Sequence, residues 1–510
     1  MLLQAFLIFC CSLFYRWKVE ANEQTVNFEW KSTVAPRFHL EISQSKNPQN
    51  STYHRPPPPP IGRSSLKQKL DHFNSNDKRK WRQYYIHRKS QHQHPDGTVF
   101  LVVGGEDRAD RAWLKNQGIP YIQLADQINA SIFLLEHRFY GRSRPTNDTS
   151  VRNLKYLNAK QAVEDIDKFV QEMNQREKLS NPKWITFGGS NLAAWVRAKH
   201  PRSIEAAVAS SSPLQAKLNF KEFERYIEKV IEKKNPKCVA IIRRLFQKMR
   251  QMSTTLQGRH ELVKIFRLDN SLIQPTVSQK DIANFFFVIS NYISFIIMHS
   301  GINVKDHRDL LTLDVVCDEL ISSPSLQTMR KLIGLVIATQ GKSRHSDIDV
   351  SYDSFLKSVR EERWNTPNIR PRLWLYQNCH EFGHFRTSEN ITGLFAGTLP
   401  LSFFLARCKD VFGDHFSVEE MESRIAETNQ YFGGNQHFQA TNVILSNGSN
   451  DPWTLLGLYN STSATGNYII YIEGTSHAAD FYPPTYSDSS ALRSAQSRII
   501  QVIEDIVLYS

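Results

Sequence analysis

The sequence lacks an uninterrupted apolar run long enough to cross a bilayer. The run nearest the N terminus, from Ala5 to Tyr15, has eleven residues, whereas a spanning helix needs about 20. A longer apolar segment, from Ile282 to Met298, is interrupted by asparagines and serines, and its pattern favours a helix buried inside a helical cap. A stable membrane span is therefore not expected.

Cysteine is scarce, and positive charge is missing from the extreme N terminus. Two of the six cysteines, Cys10 and Cys11, fall in the short apolar run, which is followed by Val19-Glu20-Ala21. A signal peptidase reads small residues at such positions, so residues 1–21 are predicted to be a signal peptide, with the mature chain beginning near Asn22. Because no Lys or Arg precedes the run, a retained amphipathic anchor is the alternative.

The chain is basic but lacks any recognised nucleic-acid-binding module. Its formal net charge is +13, and because residues 1–21 contribute Arg16, Lys18 and Glu20, or +1, the mature chain keeps +12. The basic residues are mostly interspersed with acidic ones, which is typical of solvated faces. No nucleic-acid partner is expected, whereas the excess positive charge favours anionic surfaces or acidic peptides.

The composition divides the chain into segments. Residues 22–65 are polar and contain the run from Pro56 to Pro60, which predicts a flexible leader with polyproline II structure; a spacer is a more frequent role for such a run than a proline-binding partner. In residues 66–215, strands such as Thr98 to Val103 and Ser131 to Leu135 alternate with helices such as Gln161 to Met173. This alternation predicts a mostly parallel sheet covered by helices.

The pattern changes twice more toward the C terminus. Apolar residues recur at helical spacing in residues 216–365, which predicts a helical cap insertion. The strand and helix alternation resumes in residues 366–510, where Trp374 to Tyr376 is predicted to be a strand. The four cysteines outside the signal peptide allow three pairings, of which chain order and this division favour one, with Cys238 bonded to Cys317 and Cys379 bonded to Cys408.

A candidate nucleophile follows one of the predicted strands. The apolar run Trp184 to Phe187 ends at two glycines and Ser190, and the residues from Leu192 to Lys199 predict a helix. A serine in the turn between a strand and a helix lies at the edge of the sheet. By itself, however, a serine after two glycines is usually only part of a turn.

A candidate acid and a candidate base follow two later strands. Asp451 lies in a glycine-containing turn after the run Asn442 to Leu445, and His477 follows Gly474 after the run Tyr468 to Ile472. The chain order Ser, Asp, His is the order that α/β-hydrolases use. A serine hydroxyl needs a base, and the base needs a carboxylate that fixes its tautomer and stabilises the imidazolium. The predicted fold is therefore an α/β-hydrolase with an inserted helical cap.

Several longer sequence motifs resemble those of one family, and the resemblance covers about residues 66 to 508. They are Gln68-Lys69-Leu70-Asp71-His72-Phe73-Asn74, Gly104-Gly105-Glu106, Leu135-Glu136-His137-Arg138-Phe139-Tyr140-Gly141-Arg142-Ser143, Trp184-Ile185-Thr186-Phe187-Gly188-Gly189-Ser190, Leu192-Ala193-Ala194-Trp195, Trp374-Leu375-Tyr376-Gln377-Asn378-Cys379 and Asn447-Gly448-Ser449-Asn450-Asp451-Pro452-Trp453. The chain resembles prolyl carboxypeptidase, dipeptidyl peptidase II and thymus-specific serine protease. The resemblance implies a serine exopeptidase that acts near proline in short peptides, without a cofactor, through Ser190, Asp451 and His477.

The resemblance also implies an oxyanion hole, with backbone N–H donors from Asn191 and from the loop at Gly105. Two departures from the family pattern affect this part. The family has Tyr-x-Gly-x between the serine and the Leu-Ala-Ala-Trp motif, but here only Asn191 intervenes, so three residues are missing, and Leu192 takes the place of a glycine that lets helix and strand approach. Asp107 also replaces a glycine. A catalytically impaired relative, or a deletion in the coding sequence, is therefore the alternative to an active peptidase.

A competing motif is the zinc-protease pattern H-E-x-x-H, formed by His380, Glu381 and His384. It requires a helix that places both histidines on one face. Gly383 and the strand predicted just before the motif argue against that helix, so a zinc peptidase is only a remote alternative and no metal is expected.

The compartment follows from the signal peptide, the cysteine pairs and the glycosylation motifs. Sequons that fit a secreted or lysosomal glycoprotein occur at Asn50, Asn129, Asn147, Asn390 and Asn460. A further sequon at Asn447 is doubtful because it adjoins the predicted acid loop. The expected partners are peptide substrates, and a homodimer is left open.

Overall fold

The computed structural model describes residues 59–189, 191–300, 311–339, 342–458 and 466–509. The predicted signal peptide, most of the leader and Ser190 lie outside the described residues. A mostly parallel sheet with helices on both sides confirms the predicted α/β-hydrolase fold. The strands are β1 (Ile61–Lys69), β2 (Lys80–Arg88), β3 (Thr98–Val103), β4 (Ser131–Leu135), β5 (Lys183–Gly188), β6 (Ala206–Ser210), β7 (Lys217–Asn219), β8 (Gly383–Phe385), β9 (Val443–Gly448) and β10 (Tyr468–Ile472).

Eight of these strands form the central sheet in the order β1-β2-β4-β3-β5-β6-β9-β10. The pairs β1–β2 and β2–β4 are antiparallel and the others are parallel. Every residue of β3 and β4 is buried, as expected for strands covered on both faces. In β3, Val99 and Leu101 pack with one layer of helices, while Phe100 and Val102 pack with the other.

Sixteen helices are found in the described part of the chain. They are α1 (Ala112–Lys115), α2 (Pro120–Gln127), α3 (Val151–Leu154), α4 (Ala159–Arg176), α5 (Asn191–Lys199), α6 (Glu222–Lys234), α7 (Pro236–Ser253), α8 (Leu256–Phe266), α9 (Gln279–Met298), α10 (Leu313–Ser322), α11 (Leu326–Thr339), α12 (Tyr352–Arg360), α13 (Ile369–Gln377), α14 (Leu401–Phe412), α15 (Val418–Phe432) and α16 (Ser490–Tyr509). Helices α4 and α5 cover one face of the sheet, and α2 and α16 cover the other.

Most of the helices between β6 and β9 pack into an apolar cluster that is distinct from the two clusters on the faces of the sheet. Its most apolar member, α9, is long and apolar enough to cross a membrane. Most of the apolar segment of α9 is, however, buried inside the protein. Its N terminus is closed by a capping box, in which Ser278 and Asp281 bond to each other's backbone N–H. Both predicted disulfides are present, with Cys238 bonded to Cys317 and Cys379 bonded to Cys408.

Three local predictions differ from the structure. The predicted strand from Trp374 to Tyr376 lies inside helix α13, in which Leu375 and Tyr376 are buried, and a short apolar run does not by itself distinguish strand from helix. Strand β1 begins at Ile61 and so includes residues assigned to the leader. The short strand β7 lies at the start of the segment predicted to be a helical insertion, and it pairs with β8. The domain boundaries near residues 215 and 365 stay predictions.

Candidate active site

The candidate site lies at the carboxyl ends of neighbouring parallel strands. Strand β9 pairs with β6 on one side and with β10 on the other, and β6 in turn pairs with β5. The turns that follow β5, β9 and β10 therefore open at the same edge of the sheet. Ser190 itself lies outside the described residues, between Gly189 and the first residue of α5.

Asp451 and His477 form a hydrogen-bonded pair with no exposure to solvent. The distance from His477 Nδ1 to Asp451 Oδ2 is 2.7 Å, and both side chains are 0% exposed. The second carboxylate oxygen, Oδ1, accepts the backbone N–H of Trp453 at 3.1 Å. A carboxylate on Nδ1 leaves Nε2 as the nitrogen that can act on a serine hydroxyl, which is the arrangement that nucleophilic catalysis requires.

The turns that carry this pair are in close contact. A Cβ atom at Gly448 would lie 2.5 Å from the carbonyl oxygen of Thr475 and 2.6 Å from that of Ser476. The backbone N–H of Asn450 donates to the Thr475 carbonyl at 2.8 Å. Glycine is required at this position because a side chain would push the acid turn away from the histidine turn.

The histidine turn is anchored from three directions. The N–H of His477 donates to the carbonyl of Met298, the last residue of α9, at 3.0 Å. The N–H of Ala478 donates to Ser211 Oγ at 2.9 Å. Asp480 accepts the hydroxyl groups of Ser210 and Ser446, each at 2.6 Å. These serines end β6 and lie in β9, so the sheet itself sets the position of the turn.

The charge state of the neighbouring groups follows from burial. Burial raises the pKa of the Asp480 carboxyl group, against the two serine hydrogen bonds, which lower it. His299 follows α9, and its ring lies perpendicular to that of His477 with 6.2 Å between centroids. Burial lowers the pKa of His299 to about 3, and the nearby His477 acts in the same direction. His299 is therefore neutral in the physiological pH range.

The loop after β3 supplies the predicted oxyanion residue Gly105. The N–H of Gly104 donates to the Leu135 carbonyl at 2.8 Å, and a Cβ at Gly104 would lie 2.4 Å from that oxygen. Asp107, which replaces a family glycine, pairs with Arg370 of α13 at 2.8 Å, and Arg370 Nε also donates to the Glu106 carbonyl at 2.9 Å. The replacement thus adds a contact between this loop and α13.

The start of helix α5 reflects the residues that are missing after Ser190 relative to the family pattern. The helix starts at Asn191, directly after Ser190. Leu192, which stands where the family has glycine, is 7% exposed and packs in the core on the α4 and α5 side of the sheet. Asn191 is also buried, and its Oδ1 atom has no hydrogen-bond donor among the described residues. The sequence therefore places a buried polar side chain at the predicted oxyanion position.

A cavity of about 60 Å³ lies beside Asn191. Aromatic rings form much of its wall, and Gly105, Glu106 and Leu192 also line it. The rings belong to Trp195, Trp374, Phe382 and Trp453, with His137 and His384. The indole N–H groups of Trp195 and Trp453 are buried and have no acceptor among the described residues. An apolar pocket with a few polar groups is the usual form of a ligand site.

The H-E-x-x-H residues do not share one helix. His380 and Glu381 lie in a π-helical turn after α13, and His384 lies in β8 with a positive φ of 55°. His380 stacks on Tyr376 and contacts the guanidinium of Arg424, which would repel a metal cation. Glu381 instead accepts the N–H groups of Ala159 and of Gln377.

Burial raises the pKa of Glu381 to about 7. In the described part of the chain, no cluster of three or more His, Cys, Asp or Glu side chains is placed to hold a metal.

The sequons within the described residues differ in their exposure to solvent. Asn129, Asn147 and Asn390 are exposed, whereas Asn447 is 2% exposed and donates to the Leu458 carbonyl at 3.0 Å. Asn50 and Asn460 lie outside the described residues. Glycosylation at the exposed positions stays a prediction, and the doubt about Asn447 agrees with its burial.

Comparisons with known proteins assign the chain to a family. The model of the family described as serine carboxypeptidase S28 matches residues 68–499. The chain belongs to the serine carboxypeptidase S28 family. A putative serine protease of Caenorhabditis elegans is 31% identical over 514 residues, covering 98% of each chain. Human thymus-specific serine protease is 27% identical, covering 86% of this chain and 85% of its own.

A further relative is a carboxypeptidase. Human lysosomal Pro-X carboxypeptidase is 24% identical to this chain, covering 81% of this chain and 82% of its own length. The resemblance predicted from the sequence motifs is thereby confirmed, and the chain is by family a serine peptidase.

Sequence reasoning missed the residues that support the candidate site. Ser446 lies shortly before Asp451 and Asp480 lies shortly after His477, and their nearness to those residues was the available signal. Arg370 in α13 and His299 after α9 are far in the sequence from the residues that they contact, so the sequence does not connect them to the site. Only the folded chain brings them together.

Proposed function

We propose that this protein is a serine exopeptidase that hydrolyses short peptides near proline through Ser190, Asp451 and His477. The observation that supports the proposal best is the buried Asp451–His477 pair at 2.7 Å, which follows two adjacent strands at the sheet edge where β5 also ends, two residues before Ser190 in the sequence. In this mechanism His477 takes the proton from the Ser190 hydroxyl as the oxygen attacks the peptide carbonyl. It then returns a proton to the leaving amine, while Asp451 stabilises the imidazolium.

The surroundings support the substrate class. The cavity beside Asn191 is small and aromatic, and a proline ring is an apolar group of matching character. Backbone N–H groups of Asn191 and Gly105 would stabilise the oxyanion. The cap above the sheet favours short peptides over folded proteins. Both disulfides and the family's lysosomal Pro-X carboxypeptidase support a secretory or lysosomal location.

The second candidate function is a catalytically impaired relative that still binds peptides. It is favoured by one observation, the start of α5 directly after Ser190 with Leu192 in the place of a glycine. A serine displaced by about an angstrom loses much of the advantage that oriented groups provide.

A fluorophosphonate probe tests the proposal. The protein is incubated with the probe for long times, and labelled peptides are mapped by mass spectrometry, with Ser190→Ala and His477→Ala as matched variants. We expect slow labelling at Ser190 that both substitutions abolish and that a chelator leaves unchanged. Labelling at another residue would contradict the assignment of the nucleophile, and loss of peptidase activity with the chelator would favour the zinc alternative.

A further inference from the structure

Helix α6 lies against the turn that carries Asp451, called here the acid turn. The ring of Phe223 in α6 packs edge-on against Trp453 of that turn, with 5.9 Å between centroids. About one helical turn further along α6, the hydroxyl group of Tyr226 donates to the carbonyl oxygen of Ser449 at 2.8 Å. Trp453 and the buried apolar residues of α6 belong to one apolar cluster. The acid turn is thus in contact with a helix of the cap, although 223 residues separate the two partners of the hydrogen bond.

Ser449 bonds to three parts of the structure. Its backbone N–H donates to the carbonyl of Ile472, the last residue of β10, at 3.0 Å. Its hydroxyl oxygen accepts the N–H of Gly474 in the histidine turn at 2.7 Å. Its carbonyl oxygen accepts the Tyr226 hydroxyl. Because Ser449 lies two residues before Asp451, these bonds orient the backbone that leads to the carboxylate.

The hydrogen bond from Tyr226 lies where water has little access. Ser449 is 9% exposed, and Tyr226 is partly buried. Burial raises the pKa of Tyr226, and the neighbouring Tyr471 hydroxyl and Asp451 carboxylate act in the same direction. The Tyr226 hydroxyl therefore stays protonated and can donate. A buried carbonyl that loses its donor is left unsatisfied, which costs more than the bond itself contributes, so we expect the acid turn to move when this hydroxyl is removed.

A second contact joins α6 to the histidine turn, but it is exposed. The distance from Lys233 Nζ to Glu473 Oε1 is 2.5 Å, and the two side chains are 74% and 59% exposed. An exposed ion pair contributes little, because water screens the charges and two long side chains must be ordered. Of these two polar contacts, the buried bond from Tyr226 is therefore the one suited to fixing a position.

We propose that Tyr226 is a positioning residue for the catalytic pair. Its bond to the Ser449 carbonyl holds the acid turn where the Asp451 carboxylate meets His477. This proposal rests on the proposed function, because alignment of the pair matters for catalysis only if the pair acts on Ser190. Tyr226 acts through the backbone of the acid turn and not on the substrate. The cap then aligns the acid with the base, in addition to restricting access to the site.

The ring N–H signal of His477 tests the proposal without requiring hydrolysis. The protein is labelled with ¹⁵N-histidine, and the Nδ1 proton is assigned as the signal that His477→Ala removes from the spectrum. A short hydrogen bond to the buried Asp451 carboxylate moves this proton downfield and slows its exchange with water. We expect Tyr226→Phe to move the signal upfield and to speed its exchange by about tenfold.

The rate of fluorophosphonate labelling at Ser190 measures the effect on the reaction. We expect Tyr226→Phe to slow labelling on the order of tenfold, because a shifted acid turn misaligns the base. The phenyl ring keeps the packing of the tyrosine, so the melting temperature should change little. Tyr226→Leu removes the ring as well. If only Tyr226→Leu is impaired and Tyr226→Phe behaves as the unmodified protein, the ring matters and the hydroxyl does not, which would overturn the proposal.

Two control variants separate positioning from a general loosening of the cap. Tyr352→Phe removes another hydroxyl group of a cap helix, which donates to Asp410 Oδ2 at 2.9 Å, and Lys233→Gln removes the exposed ion pair. Both should leave the His477 signal and the labelling rate unchanged. Equal changes in Tyr352→Phe and Tyr226→Phe would mean that the cap as a whole supports the site, and the specific role of Tyr226 would be wrong.

Failure of the proposed function is a separate result. If Ser190 is not labelled in the unmodified chain but Tyr226→Phe still changes the His477 signal, the peptidase activity is refuted and the positioning role is kept. An unchanged His477 signal in Tyr226→Phe would overturn the positioning role. The absence of any ring signal that His477→Ala removes would do the same, because the hydrogen bond to be positioned would not exist.

Discussion

The candidate catalytic site has two parts that are built in different ways, called here the acid and base corner, with Asp451 and His477, and the nucleophile corner, with Ser190. At the acid and base corner, Asp451 and His477 are fully buried and paired, and the histidine turn bonds to β6, to β9 and to the end of α9. At the nucleophile corner, a single turn between β5 and α5 must position Ser190, and that turn is shorter than the family pattern. A turn that is held by several hydrogen bonds tolerates the loss of one of them. At the nucleophile corner, in contrast, the position of the serine depends on every residue of a single turn.

The largest expected effect comes from lengthening the nucleophile turn. Replacing Asn191 with Tyr-Ser-Gly-Ser restores the family spacing, and we expect fluorophosphonate labelling at Ser190 to become faster by about a hundredfold or more, because orientation to within about an angstrom governs such rates. The measurement is the second-order labelling rate of the unmodified and lengthened proteins. Ser190→Ala in the lengthened protein is the control.

Equal labelling rates would show that the short turn already presents the serine correctly. The comparison between the two corners would then be wrong, and the protein would be an ordinary active member of its family.

A smaller effect is expected from the anchoring of the histidine turn. In the lengthened protein, Asp480→Ala removes both serine hydrogen bonds, and we expect the labelling rate to fall on the order of thirtyfold because His477 loses part of its fixed position. Asp480→Asn is the matched variant, since an amide can still bond to Ser210 and Ser446, and it should retain most of the rate.

The pH profile separates positioning from a general loss of stability. If Asp480→Ala lowers the melting temperature but leaves the rate and its pH profile unchanged, Asp480 supports the fold and not the histidine.

The sequence predicted the parts of this protein that depend on local pattern. Apolar runs located β3, β4 and β10 at the bounds that the structure gives, and the order of the motifs located Asp451 and His477 at neighbouring strand ends. Helix α13 was missed because burial on all sides removes the amphipathic period that marks a helix. The contact of Arg370 with Glu106 could not be predicted, since it joins residues far apart in the sequence that only the folded chain brings together.

The smallest expected effect concerns pH and the contacts of Glu381 behind the nucleophile corner. Burial raises the pKa of Glu381 to about 7, above its unfolded value of about 4.3. The folded state therefore binds the proton more tightly, so this contribution to stability is complete below about pH 4 and is lost as pH rises through about 7. We expect Glu381→Gln, whose amide oxygen can still accept the Ala159 N–H, to reduce the loss of stability between pH 5 and 7.5 by about 2 kcal/mol. Chemical unfolding at the two pH values measures this difference. Asp165 is the opposite case, because Arg138 lowers the pKa of its carboxyl group despite burial. An unchanged pH dependence in Glu381→Gln would mean that other buried carboxyls, such as Glu224, determine it.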